Sequence, residues 1–208
     1  MARWWMGFCL LTFIYISSCG DIEEFIGKGG EGSALLVANA ASLSQGVFNT
    51  INQTRQANGR GVLTFNQVVS DHAVRAAQEN LQAYLNNQRG DQNIGRVDLV
   101  HSTNPPNANG VSRDQIVPPD RVQENLYATT ISMSQDQMAN DVTNQWLQSL
   151  STDTATGHCE NLLYPNHHSV GVGAATGRDS RGRQVVVISA GFICPQNNCF
   201  RIRTLRCG

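Results

Sequence analysis

The sequence predicts an α/β fold, and two kinds of hydrophobic spacing lead to this prediction. Apolar residues recur every three or four positions in three separate stretches, which is the spacing of one buried helix face. Later in the chain, two apolar runs flank a short polar turn that contains a glycine, which is the pattern of a β-hairpin. The 208 residues are enough for one domain with a substantial core, and no internal repeat is present.

The three predicted helices differ in how clearly their ends are marked. The first begins at Ser44 and ends at Asn58-Gly59, and the second covers about residues 67–88. The third runs from Ser134 to Leu150. Its start has the serine–glutamine spacing of a capping box, with Gln137 three residues after the N-cap. The stripe of the second helix consists of Val69, Ala73, Ala76, Ala77, Leu81, Tyr84 and Leu85.

The hairpin is predicted from residues 169–176 and 184–193, joined by a turn that contains Gly182. The second run is rich in valine, so we expect it to be a central strand. Residues 103–120 are rich in Asn, Pro and Gly and are predicted to form a loop. A loop of this length inside a compact domain is usually functional or disordered.

The first 18 residues have the features of an export signal. Arg3 precedes an apolar run from Trp4 to Ile16, which is shorter than the about 20 residues that span a bilayer. The run ends at Ile16-Ser17-Ser18-Cys19, which resembles a bacterial lipobox, so we expect Cys19 to be lipid-modified. The alternative is ordinary signal cleavage, with Cys19 lost or incidental. Residues 19–43 are then predicted to be a tether.

The charge balance excludes a basic nucleic-acid-binding protein. Without residues 1–18 the chain keeps 14 Lys and Arg against 16 Asp and Glu, which leaves no basic excess for a nucleic acid partner. No second long apolar run follows the signal, so the predicted anchor is the one expected membrane contact. We therefore expect a cell-envelope protein, exported to the periplasm or the cell surface.

Four cysteines remain after Cys9 and Cys19 are set aside. They are Cys159, Cys194, Cys199 and Cys207. In an oxidising compartment an even number predicts two disulfides, with three pairings open. A zinc knot is less favoured because no Cys-x-x-Cys pair is present. Residues 194–208 hold three of the four, and we expect them to form a disulfide-bearing C-terminal extension.

Several blocks of the sequence resemble the CAP superfamily, the cysteine-rich secretory, antigen 5 and pathogenesis-related proteins, in its bacterial SCP-domain form. They are Ile51–Arg55, Val122–Leu126, Trp146–Ser149, Gly157–Leu163 and Val170–Gly173. In the second block Gln123 stands where the family has glycine. The resemblance covers about residues 44–193 and implies a three-layer α/β/α sandwich.

The resemblance also implies a cleft that contains His101, Glu124 and His158. Ser149 stands where many eukaryotic members carry a second glutamate. Two imidazoles and one carboxylate can bind a divalent metal such as zinc, or they can form a hydrogen-bonded cluster in which Glu124 orients a histidine. No catalytic residue is assigned by the sequence.

The other serines and histidines of interest have structural explanations that need no chemistry. Ser102 and Ser149 are serines at or beside the cleft positions, but neither lies in a Gly-x-Ser-x-Gly elbow. His167-His168 is predicted to lie in a solvated loop, and His72 on the surface of the second helix.

Because the CAP fold hosts many functions, the fold alone assigns none. The sequence favours a non-enzymatic, lipid-anchored envelope protein that binds a ligand or partner in this cleft, with small hydrophobic or lipid molecules as one implied class. The alternative is a metal-dependent or serine hydrolase acting on peptide or cell-wall substrates. A third interpretation is a structural surface protein with a vestigial cleft.

Overall fold

The computed structural model describes residues 32–102, 121–149 and 157–194. The signal segment, Cys19, the predicted loop at 103–120 and the extension after Cys194 lie outside the described residues. In chain order the elements are α1 (Gly32–Ala57), β1 (Thr64–Phe65), α2 (Gln67–Leu85), β2 (Arg121–Thr129), α3 (Gln135–Gln148), α4 (His158–Leu163), β3 (Ser169–Arg178) and β4 (Gln184–Cys194).

The predicted three-layer α/β/α arrangement is confirmed. The sheet has the order β1-β3-β4-β2, in which β1 pairs parallel with β3 and the other pairs are antiparallel. The predicted hairpin is β3 and β4, and β4 is a central strand as expected. Strand β2 lies at an edge of the sheet.

Each face of the sheet has its own hydrophobic core. On one face, α1, α3 and α4 cover side chains such as Val172, Ile188 and Phe192. On the other face, α2 covers Ala175, Val185 and Val187. Because successive side chains of a strand point to opposite faces, each of these strands supplies both cores.

Helix α2 lies unusually close to β3 because the strand carries glycine there. A Cβ atom added at Gly171 would lie 2.1 Å from the backbone nitrogen of Ser70, and one at Gly173 would lie 2.0 Å from that of Val74. Any larger residue would therefore push the helix away from the sheet. The Ser70 hydroxyl donates to the Val172 carbonyl at 2.6 Å across the same contact.

The predicted start of the first helix is wrong by twelve residues. Helix α1 begins at Gly32, inside the segment predicted as tether, and Leu43 is buried in the core. The segment after Gly32 is rich in alanine and leucine, which are strong helix formers, and contains no helix stop. In contrast, the predicted capping box of Ser134 and Gln137 is present at the start of α3.

The described residues include no helix long and apolar enough to cross a membrane.

Candidate functional site

The candidate cleft lies along the edge strand β2, on the side of the sheet that α2 covers. Glu124 projects from β2 opposite Gly191 of β4. Because Gly191 has no side chain, Val69 of α2 and Val122 of β2 pack over it, beside the carboxylate. The next inward-facing residue of β4 on this face is Ser189, which is buried.

His101 reaches Glu124 because the preceding residue is fixed to α2. The buried side chain of Asn80 binds both backbone groups of Val100, accepting from its N–H at 2.9 Å and donating to its carbonyl at 3.1 Å. The Asn80 amide thus satisfies both backbone groups of Val100, as a neighbouring strand would. Residues 97–102 are therefore held against α2 although they form no regular element.

Three groups donate hydrogen bonds to the carboxylate of Glu124. His101 Nδ1 lies 3.0 Å from Oε2, the Ser102 N–H donates to the same oxygen at 3.0 Å, and the Ser189 hydroxyl donates to Oε1 at 2.9 Å. Burial alone would raise the pKa of Glu124, but these bonds outweigh it and hold the pKa below its usual value. The ionised carboxylate only accepts, so His101 carries its proton on Nδ1.

The bond to Glu124 raises the pKa of His101, against the opposing effect of burial. The imidazole side chain remains 59% exposed. The carboxylate thus fixes the ring through Nδ1 and leaves Nε2 as the ring nitrogen available to a ligand in the cleft.

His158 enters the cleft at the first residue of the short helix α4, and two buried asparagines hold that end. The Asn125 amide donates to the His158 carbonyl at 2.9 Å, and the Asn161 amide donates to Asn125 Oδ1 at 2.8 Å. At the helix start, the Glu160 carboxylate accepts from the Gly157 N–H at 3.0 Å.

The other end of α4 is held by a buried arginine from α1. Arg55 donates to the carbonyls of Leu162 and Tyr164 at 2.7 and 3.1 Å, and to that of Gly61 at 2.8 Å. Burial lowers its pKa to about 10, with Arg60 contributing, so the guanidinium stays charged at neutral pH. Cations are favoured at helix C-termini, where carbonyls lack partners.

His158 and His101 are close enough for one charge to affect the other. Burial lowers the pKa of His158, and the charge of His101 lowers it further. His158 makes no side-chain hydrogen bond to His101 or Glu124 among the described residues. The site therefore pairs a histidine that favours the charged form with one that favours the neutral form.

The family model for CAP, the cysteine-rich secretory protein family, matches residues 48–192. The chain belongs to the CAP family. No curated protein sequence matches it significantly.

Solved structures with a similar fold include two bacterial proteins. One is a cysteine-rich secretory protein from Staphylococcus aureus, with a TM-score of 0.37 and 14% identity over 74% of this chain and 38% of that one. The chain thus spans well under half of that protein. Another is an outer surface protein from Borrelia burgdorferi, with a TM-score of 0.41 and 17% identity over 72% of this chain and 92% of that one.

Two of the three residues that the CAP resemblance placed in the cleft are in direct contact. His101 and Glu124 are hydrogen-bonded, and His158 is their electrostatic neighbour. Ser149 lies at the C-terminal cap of α3 and makes no hydrogen bond to these three within the described part of the chain.

A zinc site made by His101, Glu124 and His158 stays a prediction. Among the described residues no group of three His, Cys, Asp or Glu side chains is arranged to hold a metal ion. Both oxygens of Glu124 accept hydrogen bonds from donors of its own chain. The hydrogen bond between His101 and Glu124 is the part of the hydrogen-bonded alternative that the described residues show.

Two cleft residues were missed by the sequence analysis. His72, expected on the surface, is half-buried on α2, and the prediction was wrong. Burial lowers its pKa and the charge of Glu124 opposes this, so His72 lies within electrostatic range of the carboxylate. Its place is set by the close α2–β3 contact, which no sequence period shows. Ser189 did have a signal, because it is the one polar side chain in the run Val185–Phe192.

The predicted solvated loop at His167-His168 is wrong for its first residue. His167 is buried, with Nδ1 2.8 Å from the Asn161 carbonyl and Nε2 3.0 Å from the Gln123 side chain. Burial lowers its pKa to about 3, so the ring is neutral. His168 is exposed as expected. The glutamine that replaces the family's glycine thus binds a core histidine within a continuous strand.

Cys159, at the second position of α4, is buried and disulfide-bonded. The side chains of Cys194, Cys199 and Cys207 lie outside the described residues. Pairing and the second bridge stay predictions.

Proposed function

We propose that this protein is a lipid-anchored protein of the cell envelope that binds a ligand or partner in the cleft around His101, Glu124 and His158. One observation carries the proposal: Glu124 is held by three donors of its own chain and in turn holds His101. The carboxylate is therefore a positioning group, and the exposed imidazole is the group presented to a ligand.

The charges of the cleft favour a ligand with an oxygen-rich head group. The raised pKa of His101 increases its protonated fraction at neutral pH, so Nε2–H can donate to a carboxylate or phosphate oxygen. The ring of His158, which favours the neutral form, adds a second hydrogen-bonding group.

Apolar side chains beside these histidines favour a ligand with a hydrophobic part. Val100, next to His101, is 44% exposed. Val122 is half-exposed two residues before Glu124 on the same face of β2. Head group and apolar neighbours together support a small amphipathic molecule such as a lipid, the class that the family resemblance implied.

The anchor part of the proposal is supported by the sequence around Cys19. The apolar run before it is too short to span a bilayer, and the four residues that end the run resemble a lipobox. Stable attachment takes more than one acyl chain, which a multiply acylated Cys19 would provide.

Hydrolysis is the second candidate, and the bond between His101 and Glu124 is the observation that favours it. A carboxylate that fixes the ring through Nδ1 leaves Nε2 as a general base. However, neither His101 nor His158 is hydrogen-bonded to a hydroxyl group in the described part of the chain. The arrangement thus supports binding better than serine catalysis.

Native mass spectrometry of the purified protein, with metal analysis of the same sample, tests the binding proposal. We expect wild type to retain a lipid-sized mass or to bind added palmitate, and His101→Ala to lose most of this binding. His168→Ala is the matched control because His168 is an exposed histidine outside the cleft. Equal binding by His101→Ala would overturn the proposal. Stoichiometric zinc together with turnover that His101→Ala abolishes would favour the hydrolase.

A further inference from the structure

One end of the domain combines exposed isoleucines with arginines. It is the end at which the β3–β4 hairpin turns, and we refer to it as the hairpin end. Ile94 and Ile131 are 70% and 62% exposed, the largest values among the exposed large apolar side chains of the described residues. The two loops that carry them meet, because the Thr130 hydroxyl donates to the Gly95 carbonyl at 3.4 Å.

The arginines of the hairpin end lie on two segments, residues 86–96 and the turn at 178–183. Arg178 and Arg181 are exposed and bind neutral acceptors, the Gly182 carbonyl at 2.9 Å and Asn93 Oδ1 at 2.7 Å. Arg89 likewise binds Asn80 Oδ1 at 3.2 Å. These three cations therefore have no carboxylate partner in the described part of the chain.

The remaining charges of the hairpin end are largely balanced. Arg183 pairs with the buried Asp179 at 2.7 Å, and Arg96 pairs with Asp98 at 3.1 Å. Asp91, Asp136 and Asp141 are the acids there without a cationic partner among the described residues, and Asp141 bonds to the neutral Tyr127 and Gln145. These acids balance the three arginines in number, and the exposed Arg178 and Arg181 are bound to neutral acceptors.

The chain enters the domain at this same end. Arg55, near the end of α1, binds the carbonyls that precede β3, and β1 pairs with the first residues of β3. The C-terminus of α1 thus lies at the start of β3. Because α1 packs along the sheet, its N-terminus points toward the end of β3, where the hairpin turns. Gln135 at the start of α3 donates to Ser42 of α1, which places Ile131 close to this N-terminal part.

We propose that the hairpin end rests on the phospholipid bilayer in which Cys19 is anchored. This inference depends on the proposed lipid anchor. Ile94 and Ile131 enter the region between head groups and acyl chains, and Arg178 and Arg181 contact head-group phosphates. Exposed apolar residues flanked by basic side chains are the composition that binds the membrane interface. The opposite end of the domain also has an exposed apolar residue, Val62 at 56%. The hairpin end is the better candidate because the N-terminus of α1, which leads to the anchor, lies there.

Tryptophan fluorescence in vesicles with brominated acyl chains tests the orientation. Trp146 is the single tryptophan after residue 18, and it is 1% exposed, so its contribution is a constant background. The full-length lipoprotein is reconstituted in phosphatidylethanolamine–phosphatidylglycerol vesicles as Ile131→Trp, Ile94→Trp or Val62→Trp. The three positions are exposed, so each variant is expected to fold.

We expect severalfold stronger quenching at positions 131 and 94 than at position 62, because bromine quenches only tryptophans that reach the acyl chains. Equal quenching at both ends, or stronger quenching at position 62, would overturn the orientation. Flotation of the same vesicles, with Cys19→Ala as the control, separates this result from failure of the anchor. If wild type does not float with the vesicles, or if Cys19→Ala floats equally well, the anchor is wrong and the orientation that depends on it falls as well.

Discussion

The cleft depends on how one carboxylate is bonded. The contact between Glu124 and His101 lowers the pKa of the carboxyl group and raises the pKa of the imidazole, because each charged form stabilises the other. The lowered pKa of Glu124 contributes stability above the unfolded pKa of a glutamate, and this is lost as pH falls through the folded value. The raised pKa of His101 contributes stability below the unfolded pKa of a histidine, and this is lost as pH rises through the folded value. Both contributions are present together at about pH 5.5.

Replacing Glu124 by glutamine should lower the pKa of His101 to or below the ordinary histidine value of about 6.5. The amide keeps the shape of the side chain but removes the charge that favours imidazolium. Because His101 is solvent-screened, we expect a loss of only about 1 kcal/mol in the free energy of unfolding at pH 5.5. The loss should be smaller at pH 8, where less of His101 is protonated. Proton NMR titration of the histidine rings and denaturant unfolding measure the two effects. Glu79→Gln, which removes an exposed carboxylate of α2, is the control. An unchanged His101 pKa in Glu124→Gln would contradict the proposed role of this carboxylate.

Helix α2 forms one wall of the cleft, and its close contact with β3 sets the position of that wall. Asn80 and His72 both lie on α2, so the positions of His101 and His72 relative to Glu124 depend on how closely the helix approaches the sheet. That approach is set by Gly171 and Gly173, whose added Cβ atoms would overlap the α2 backbone.

Gly173→Ala should therefore destabilise the fold by about 3 kcal/mol or more, because backbone atoms cannot move as a flexible side chain does. Gly61→Ala is the matched control, since nothing lies within 4 Å of its added Cβ and its φ is not positive. We expect this control to unfold at the wild-type denaturant concentration or slightly above it. Thermal or denaturant unfolding measures the stability of both variants. Similar midpoints for the two would show that the helix does not rest on the strand backbone.

The helices and the hairpin could be predicted because each has a local signal. Hydrophobic period marks α2, the serine–glutamine pair marks the start of α3, and Gly182, with a φ of 76°, marks the turn between β3 and β4. Strand β2 was recognised as a family block and not as a strand, because its pairing with β4 is non-local.

The cleft could be predicted only through the family resemblance. His101 and Glu124 are 23 positions apart in the sequence, and no spacing rule brings them together. The surroundings of the half-buried His72 and the buried His167 could not be predicted, since both are covered by parts of the chain that are distant in sequence. A polar residue in an apolar run, as at Ser189, was the one local clue that was available.

The cleft and the hairpin end lie at different places along the same sheet. Glu124 pairs with Gly191, which pairs with Gly171 near the start of β3, whereas the hairpin end lies where β3 stops. If the hairpin end rests on the bilayer, the cleft lies toward the other end of the sheet. A lipid bound there would be held outside the bilayer of the anchor, as in a carrier or a receptor site.

The location of ligand binding tests the central claim most directly. The measurement is amide NMR shift mapping of the Cys19→Ala protein, which lacks the predicted acylation site, during titration with palmitate. We expect the largest shifts at His101, Ser102, Glu124, His158 and Ser189, with smaller shifts at acid pH, where protonation of Glu124 removes the charge that holds His101. Shifts confined to the open groove of about 470 Å³ beside the start of α3, lined by Met133, Gln137 and Asp141 among others, would place the ligand elsewhere and contradict the account.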